Sequence, residues 1–517
     1  MPISQLGQVN VASLNVPQVL IQIVPPQFLT GGVLTNIGGL VGTASWGPVN
    51  SLQYFGNYQQ YAAIFGPTIN RKYDMGGHVI AAALQRAAAF GGIRITDATD
   101  TAAAIVIQTN CLTLTAKYTG TYGANIKATI SAGAAATTKK IVISCPGITP
   151  ESFDNIGAGL TANALWLAFA NALNNGTSTA RGPSALVVAT AGVGVTTPAN
   201  ATVSLTGGSD GVTGITGSGA TTAMMGIDTV PRTGMYAFRG TPVARFTLCD
   251  LDDSTSWSAQ AAFALDNGME AFSATPAGDT LSNATTALSG AGIDTYGISV
   301  CFGDYPYFID TVNNIPLRMV SPAAFKLGLR CALSPEQSSL NKPIYGIAAT
   351  QSSLQGKTYS MSDLQILALA RLDVLTVDLS LSNNYIFRLG INTSSNQVTM
   401  GDQYTDMINW LAKSYLKALS PYIGVLIDPD VMRRVKVTLD TFLALAEQLG
   451  MIGTFDGSQP YRTIVDSTNN SQGTAALGYL FVTSKVVLKN EIRYLICNLE
   501  AGASVIISAT PPPQFSF

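Results

Sequence analysis

The stretch GLVGTASWGPVN, residues 39–50, indicates the fold class of this chain. Residues 39–44 have the small and apolar composition of a buried strand, and the Trp-Gly-Pro sequence at 46–48 predicts a turn. An alanine-rich helix is predicted at 78–90, where Gly91 and Gly92 follow it as a stop signal, and a further strand is predicted at 93–96. Strands that alternate with helices predict a multidomain fold of mixed α/β and α+β type.

Composition predicts how the chain is divided. Residues 101–220 are rich in Ala, Thr, Gly and Val and carry short strand patterns, so we predict an inserted β-rich domain there. This domain closes with the glycine-rich residues 205–211, which predict a flexible turn. The alternating pattern of strands and helices returns after 235. Residues 31–100 and 235–400 are therefore predicted to form one α/β domain around the insertion.

The last third of the chain has strong helix patterns. Met407, Trp410 and Leu411 form one apolar stripe of a helix predicted at 406–419. A longer helix is predicted from Asp430 to Leu449, capped by Asp428-Pro429 and stopped by Gly450. Strands are predicted at 461–465, 478–483 and 491–499. We assign 401–490 to a C-terminal core domain.

Both ends of the chain have the pattern of extended arms. In residues 1–30, the apolar side chains of Val19, Ile21 and Ile23 alternate with their neighbours, and prolines on either side exclude a helix. Residues 491–517 are predicted to be a C-terminal strand arm and tail, with Ile492, Tyr494 and Ile496 on one face. An arm of about 25 extended residues reaches on the order of 80 Å, which is far enough to leave its own domain.

The content of charged residues predicts extensive contact with other protein subunits. Only 11% of the 517 residues are charged, whereas about 25% is usual. No apolar run of 18 residues is present, and the N-terminal residues lack a signal-peptide pattern, so we predict neither membrane insertion nor secretion. The net charge is −2 and no basic tract occurs, so we predict no nucleic-acid partner.

No residue pattern indicates catalysis, a cofactor or a metal ion. The chain has one histidine, His78, at the start of an alanine-rich helix, and a structural role is favoured for it. The acidic cluster of Asp250, Asp252 and Asp253 lacks the glycine and the distal glutamate of a calcium loop, so strand-end or helix-cap roles are favoured. Residues 207–211 are not a P-loop. The six scattered cysteines predict buried thiols in a reducing cytoplasm.

One basic cluster leaves two interpretations open. Arg433, Arg434 and Lys436 lie near the start of the helix predicted from Asp430, where cations are slightly unfavourable to the helix dipole. Arg433 and Lys436 are three residues apart and share a face. The cluster is either a solvated surface or a docking site for an acidic partner.

Several stretches taken in order resemble the contractile tail sheath family of phages and related injection machines. Five stretches carry this resemblance. The first is 41–50 with 61–66, the second is the helix predicted at 78–90 with 91–95, and the third is 114–126. The fourth is 205–211 with 233–236, and the fifth is 449–453 with 461–470 and 478 onward. The third stretch resembles the opening of the sheath insertion domain, and the fourth resembles the exit of that domain. Together they cover nearly the whole chain.

The resemblance implies a function in self-assembly. Sheath subunits form stacked helical rings around a tail tube, and contraction drives the tube through the host envelope. Terminal arms exchange strands between neighbours, which here implies Val19, Ile21, Ile23, Ile492, Tyr494 and Ile496. Arg433, Arg434 and Lys436 become candidates for facing the tube. The implied partners are copies of this chain, the tail tube protein, and baseplate and tail terminator proteins. The implied location is the virion tail, assembled in the host cytoplasm.

Two other classes of function stay open at the level of sequence. A secreted or surface-layer protein of the adhesin type, binding sugar or Ca²⁺ through the inserted domain, fits its Thr, Ala and Gly content, but the missing signal peptide and the unpaired cysteines disfavour it. A hydrolase with a carboxylate pair is also compatible with the composition, although nothing singles out such a pair.

Overall fold

A computed structural model describes residues 3–4, 21–22, 32–178, 181–377, 384–497, 499 and 501. Up to residue 94, short strands alternate with helices. In chain order these elements are β1 (Ile3–Ser4), β2 (Ile21–Gln22), β3 (Gly38–Gly42), β4 (Gln53–Phe55), α1 (Tyr58–Phe65), α2 (Met75–Leu84) and β5 (Phe90–Arg94). β1 and β2 pair in parallel. The order of strand, turn, helix and strand predicted for this part is confirmed.

The predicted helix at 78–90 is present, but both of its ends differ from the prediction. It begins after Asp74, whose carboxylate accepts a hydrogen bond from the first turn, and it ends at Leu84. The predicted end is wrong because the following glycines belong to the interior of β5. A β-carbon on Gly92 would lie 2.9 Å from the Phe55 ring, so glycine is needed here for close packing.

The inserted domain consists of two antiparallel sheets and a long helix. Its elements are β6 (Ala104–Ile107), the single turn α3 (Gln108–Cys111), β7 (Leu112–Ala116), β8 (Lys127–Ala132), β9 (Lys139–Cys145), β10 (Ile148–Ile156), α4 (Ala162–Asn175), β11 (Val187–Ala191) and β12 (Ala201–Ser204). The sheet orders are β11–β7–β6 and β10–β9–β8–β12. Trp166, Phe169 and Leu173 of α4 fill the core between the sheets.

The α/β body resumes after the inserted domain. Its elements are α5 (Ser218–Met225), β13 (Arg245–Leu248), α6 (Trp257–Asp266), β14 (Glu270–Ala274), α7 (Leu281–Ala291), β15 (Ile298–Cys301), β16 (Pro306–Asp310), β17 (Ile315–Met319), α8 (Pro322–Ala332), β18 (Pro343–Ile344), β19 (Ala349–Thr350), α9 (Gln351–Leu354), α10 (Met361–Leu369), β20 (Leu375–Val377) and β21 (Tyr385–Phe387).

A six-stranded sheet lies at the centre of the body, in the order β15–β14–β13–β3–β5–β4. Its strands are parallel except for β4, which pairs antiparallel to β5. Side chains of consecutive residues point to opposite faces of a strand. Leu40 accordingly packs with α1, α2 and α8, whereas Val41 packs with the cluster around α5, α6 and α7. The body is therefore a sheet covered by helices on both faces, and its parallel strands are buried.

The C-terminal domain, by which we mean α11 to β23, contains two long helices and a short sheet. Its elements are α11 (Asp402–Leu419), α12 (Pro429–Gln448), β22 (Tyr461–Ile464), α13 (Gln472–Ala476) and β23 (Thr483–Val486). Both long helices are confirmed, as is the cap, since Asp428 accepts a hydrogen bond of 2.6 Å from the amide of Val431. Within the described residues, no helix combines the length and apolar character needed to cross a membrane.

Two predicted strands near the C terminus are not found in the single chain. Residues 478–482 form a turn and its continuation, and the strand begins only at Thr483. Residues 491–497 belong to no helix or strand. A strand needs a neighbour for its backbone hydrogen bonds, and no described residue of the same chain pairs with this segment. Whether a neighbouring subunit supplies that partner stays a prediction.

Candidate assembly surfaces

The sheet of the C-terminal domain has open edges. β22 and β23 pair antiparallel, with Tyr461 opposite Val486 and Ile464 opposite Thr483. Neither strand has a second strand neighbour among the described residues. Each strand therefore presents an edge of backbone donors and acceptors to which another strand can bind.

An apolar cleft of about 400 Å³ lies between β23 and α11. Ile408 and Leu411 form its wall on the helix side, and Val486 and Leu488 form its wall on the strand side. A strand that added to β23 would place alternate side chains toward this cleft, because side chains alternate along a strand. The cleft and the open edge together form a site suited to an extended apolar segment.

The C-terminal segment itself exposes its apolar side chains. Ile492, Tyr494 and Ile496, the predicted strand-exchange residues, are 75%, 86% and 75% exposed. Leu495, on the other face, is 81% exposed and is not among the predicted strand-exchange residues. Removing apolar surface from water is favourable by about 25 cal/mol per Å², so these exposed side chains favour burial against another surface.

One arginine anchors this segment to the body. The Arg493 guanidinium donates hydrogen bonds to the carbonyl oxygens of Leu389 (3.1 Å) and Gly390 (3.2 Å), and it also pairs with Glu491. Apolar residues on either side of Arg493 remain exposed. The segment is thus fixed at one point, beyond which its side chains are available for contact.

The N-terminal part of the chain approaches the C-terminal domain. The amide of Val33 donates to Ser414 Oγ of α11 (3.2 Å), and Val33 packs against the core of the C-terminal domain. Thr35 accepts a hydrogen bond from Arg245. Of the predicted arm residues, Val19 and Ile23 lie outside the described residues. Ile21 pairs with Ile3 in the short β1–β2 ladder.

The structure places the basic cluster on an exposed face of α12 and gives each member an acidic partner. Arg433 pairs with Asp430, and Arg434 Nε lies 3.6 Å from the same carboxylate. Lys436 Nζ lies 2.6 Å from Asp440. Three cations thus meet two carboxylates, so the face carries a smaller positive charge than the sequence pattern indicates. Exposed ion pairs of this kind contribute little to stability, which leaves them free to exchange partners.

The inserted domain is held to the body at three points. The indole of Trp46, in the body, lies in the core of the inserted domain and donates to the carbonyl of Tyr118 (3.1 Å). Arg94 donates to Thr119 O (2.7 Å) and Asp210 O (3.3 Å), and Arg71 forms a partly buried salt bridge of 2.5 Å with Asp210. The glycine-rich exit was predicted to be a flexible turn. That prediction is wrong, because Asp210 ties it to two arginines of the body.

The residues considered for catalysis or metal binding have structural partners. His78 is fully buried, its Nε2 accepts from the amide of Asp250 (3.1 Å), and burial lowers its pKa, which keeps the ring neutral. Asp252 pairs with Lys72 (2.9 Å). Asp253 caps the short helix at 254–256 and thereby confirms the helix-cap prediction. Among the described cysteines, only Cys497 is exposed.

Solved structures with a similar fold include two sheath tail proteins and a helical sheath in its contracted state. A sheath tail protein from Listeria innocua matches with a TM-score of 0.60 at 11% identity, over 88% of this chain and 95% of that chain. A sheath tail protein from Desulfitobacterium hafniense matches with a TM-score of 0.57 at 16% identity, over 87% and 94%. The helical sheath of the anti-feeding prophage in its contracted state matches with a TM-score of 0.53 at 9% identity, over 95% and 99%.

These similarities confirm the fold expected from the sequence resemblance. The chain has the fold of contractile tail sheath proteins, with mixed sheets and helices and an inserted β-rich domain. No protein-family model matches the chain, and comparison with curated proteins finds no match. The fold is therefore shown by structure at identities of 16% or less.

Proposed function

We propose that this chain is the structural subunit of a contractile tail sheath. In this function it polymerises as stacked helical rings around a tail tube, and its contraction drives the tube through the host envelope. The observation that carries the proposal is the combination, in one chain with the sheath fold, of an open-edged sheet beside an apolar cleft and a segment at 492–496 whose apolar side chains are exposed. The role is structural rather than enzymatic.

The proposed link between subunits is strand exchange. Residues 1–30 and 491–517 act as arms, and arms from neighbouring subunits add to the open edges of β22 and β23. Each backbone hydrogen bond formed contributes roughly 0.5–1.5 kcal/mol net, so several bonds for each arm make a persistent connection. The apolar side chains of Ile492, Tyr494 and Ile496 would be buried in the same step.

Geometry supports this link in two ways. Val33, close to the predicted N-terminal arm, packs on α11 of the C-terminal domain, and the C-terminal segment follows β23 of the same domain before Arg493 ties it to the body. A contact between two different surfaces of identical subunits also builds a helix whenever its rotation does not close into a ring. The body and the inserted domain would then move as rigid units while the arms keep neighbours connected.

The wider partners follow from this function. We infer copies of the chain, the tail tube, the baseplate and the tail terminator as partners, and we place the protein in the virion tail after assembly in the host cytoplasm. The contracted sheath of the anti-feeding prophage, a similar solved structure, is a helical assembly. That similarity supports self-assembly as the first partner interaction to test.

Microscopy of the purified full-length chain tests the proposal. We expect long striated tubes in negative stain. A triple substitution Ile492→Lys, Tyr494→Lys, Ile496→Lys should abolish them, because lysine side chains cannot be buried against the apolar cleft. The control Leu477→Lys changes an exposed apolar residue outside the arm and should leave the tubes intact. Discrete monomers of the wild type, with stability sensitive to a chelator, would instead favour an adhesin-like protein.

We also propose that the α12 face with Arg433, Arg434 and Lys436 docks onto the tube. Arg433→Glu with Arg434→Glu should reduce co-sedimentation with purified tubes of the cognate tail by at least about tenfold, because it reverses the charge of this face. The measurement is made at low salt, since salt screens the attraction between exposed charges. Lys127→Glu, an exposed charge reversal on the inserted domain, is the matched control. Equal co-sedimentation of the two variants would show that this face does not bind the tube.

A further inference from the structure

A cluster of buried charges lies where α11 enters the α/β body. The carboxylate of Asp406, in the second turn of α11, accepts two hydrogen bonds from Arg245 of β13: Nε donates to Oδ1 (3.0 Å) and Nη2 donates to Oδ2 (2.5 Å). Arg330 of α8 also donates to Asp406 Oδ2. Both arginines are fully buried. This cluster joins the central sheet, a covering helix and the first turns of α11.

The carboxylate one turn earlier in α11 is held in the same way. Asp402 accepts hydrogen bonds from the hydroxyls of Ser338 (2.7 Å) and Ser339, and Arg330 Nη1 lies 3.9 Å away. Burial acts to raise the pKa of Asp402, but Arg330, Lys326 and the two serines outweigh it and hold the pKa below its ordinary value. Asp402 is therefore ionised, and the positive charge of Arg330 partly compensates its negative charge.

Glu270 of β14 does not fit this arrangement as a charged group. It is fully buried, and its Oε2 lies 3.9 Å from Arg245 Nε and 4.0 Å from Arg330 Nε. Neither oxygen of Glu270 has a hydrogen-bond partner among the described residues. A buried ionised carboxylate is stable only when it is paired and hydrogen-bonded, so the neutral acid is the form suited to this site.

A charge count gives the same result. Three buried cations meet three other buried carboxylates in this region, which are Arg245, Lys326, Arg330, Asp373, Asp402 and Asp406. They balance without Glu270. The thiols of Cys301 in β15 and Cys331 in α8 also lie close enough to feel the charge of Glu270, and burial raises the pKa of both so that they stay neutral. Lys413 of α11 acts on Arg245, and burial lowers the pKa of Lys413 to about 8. An ionised Glu270 would be the seventh charge, with no cation of its own.

We propose that Glu270, Arg245, Arg330 and Asp406 form a proton-sensitive joint that fixes α11, and through it the C-terminal domain, on the α/β body. After Asp406, α11 contributes Met407, Trp410 and Leu411 to the core of the C-terminal domain. A change at the joint is therefore passed to that domain through one continuous helix. The joint is a property of the single subunit and does not rest on the proposed function.

The direction of the pH effect follows from the neutral form of Glu270. Burial raises the pKa of Glu270 to about 7, against the lowering effect of Arg330 and Arg245. When the joint opens and Glu270 meets water, its pKa returns to about 4.3. Because Glu270 binds its proton more tightly in the closed state, protonation stabilises the closed state. This stabilisation is complete below the open-state pKa and is lost as pH rises through about 7. Above neutral pH, the ionised Glu270 competes with Asp406 for the two guanidinium groups.

Hydrogen exchange of the full-length, unassembled chain tests the joint. The protection factors of the amides in the first two turns of α11 should fall on the order of 50-fold between pH 5 and pH 8, since each pKa unit is a tenfold change. In Glu270→Gln, which keeps the neutral shape, protection should be nearly independent of pH. Glu447→Gln, the same change at an exposed site on α12, is the matched control and should behave as the wild type does.

Two outcomes would overturn the proposal. The first concerns the wild type alone: the protection factors of the α11 amides change with pH no more than those of the amides in β8 and β9 of the inserted domain. The other is a folded Glu270→Gln chain with the same pH dependence as the wild type. Since the wild-type profile decides by itself, the test holds even if the variant fails to fold.

Discussion

Removal of residues 1–25 is expected to yield a folded subunit that no longer forms tubes. The earliest described residue packed against a hydrophobic core is Val33, so the cores described here remain complete in this truncation. What is lost is one of the two arms that strand exchange requires. With several hydrogen bonds missing at roughly 0.5–1.5 kcal/mol each, the fraction of sedimentable polymer should fall by more than about tenfold.

Sedimentation and negative-stain microscopy measure this loss, and thermal unfolding provides the control. The truncated chain should unfold within a few degrees of the full-length chain, which separates loss of assembly from loss of folding. Tubes of unchanged abundance from the truncated chain would contradict strand exchange by the N-terminal arm. The sheath function itself would then need a different link between neighbours, for example through the C-terminal arm alone.

The second large effect is expected at Arg330. Arg330→Leu removes a fully buried cation that pairs with Asp406 and approaches Asp402 and Glu270. Breaking a buried ion pair by removing one partner typically costs about 3–5 kcal/mol, because the remaining charge is left buried and uncompensated. We expect a loss of this size in the free energy of unfolding, or an insoluble product.

Chemical denaturation followed by circular dichroism measures this change. Arg388→Leu is the matched control, because Arg388 is only partly buried and pairs with the amide oxygen of Asn341 rather than with an acid. The control should change the free energy of unfolding by about 1 kcal/mol or less. An equally small effect of Arg330→Leu would show that the charges at the joint do not contribute to stability.

Local patterns in the sequence predicted the parts of the fold that depend on local physics. The long C-terminal helices follow from apolar residues at helical spacing, and the side chain of Asp428 caps the second of them as expected. The strand at 39–44 followed from a short apolar run beside a turn. The resemblance to tail sheath proteins predicted the arrangement of these elements, and the solved structures confirm it.

Features that depend on contacts between distant residues were not predictable in this way. Gly92 has the pattern of a helix stop, but its role is to let Phe55 pack against a strand. Asp210 lies in a glycine-rich stretch that indicates flexibility, and its partner Arg71 is 139 residues away in the chain. The pairing of Arg245 with Asp406 spans 161 residues. No local spacing encodes such pairs, because only the folded chain brings them together.

Because the inserted domain is firmly attached, its orientation also reports the orientation of the α/β body. The inserted domain is bonded to the body by Trp46, Arg94 and Arg71. We therefore expect a marker on the inserted domain to turn through the same angle as the central sheet. The exposed turn at 134–136, between β8 and β9, offers a place for such a marker. If the chain assembles and contracts as proposed, a rigidly attached fluorophore there, viewed in polarised light, would report the rotation of each subunit.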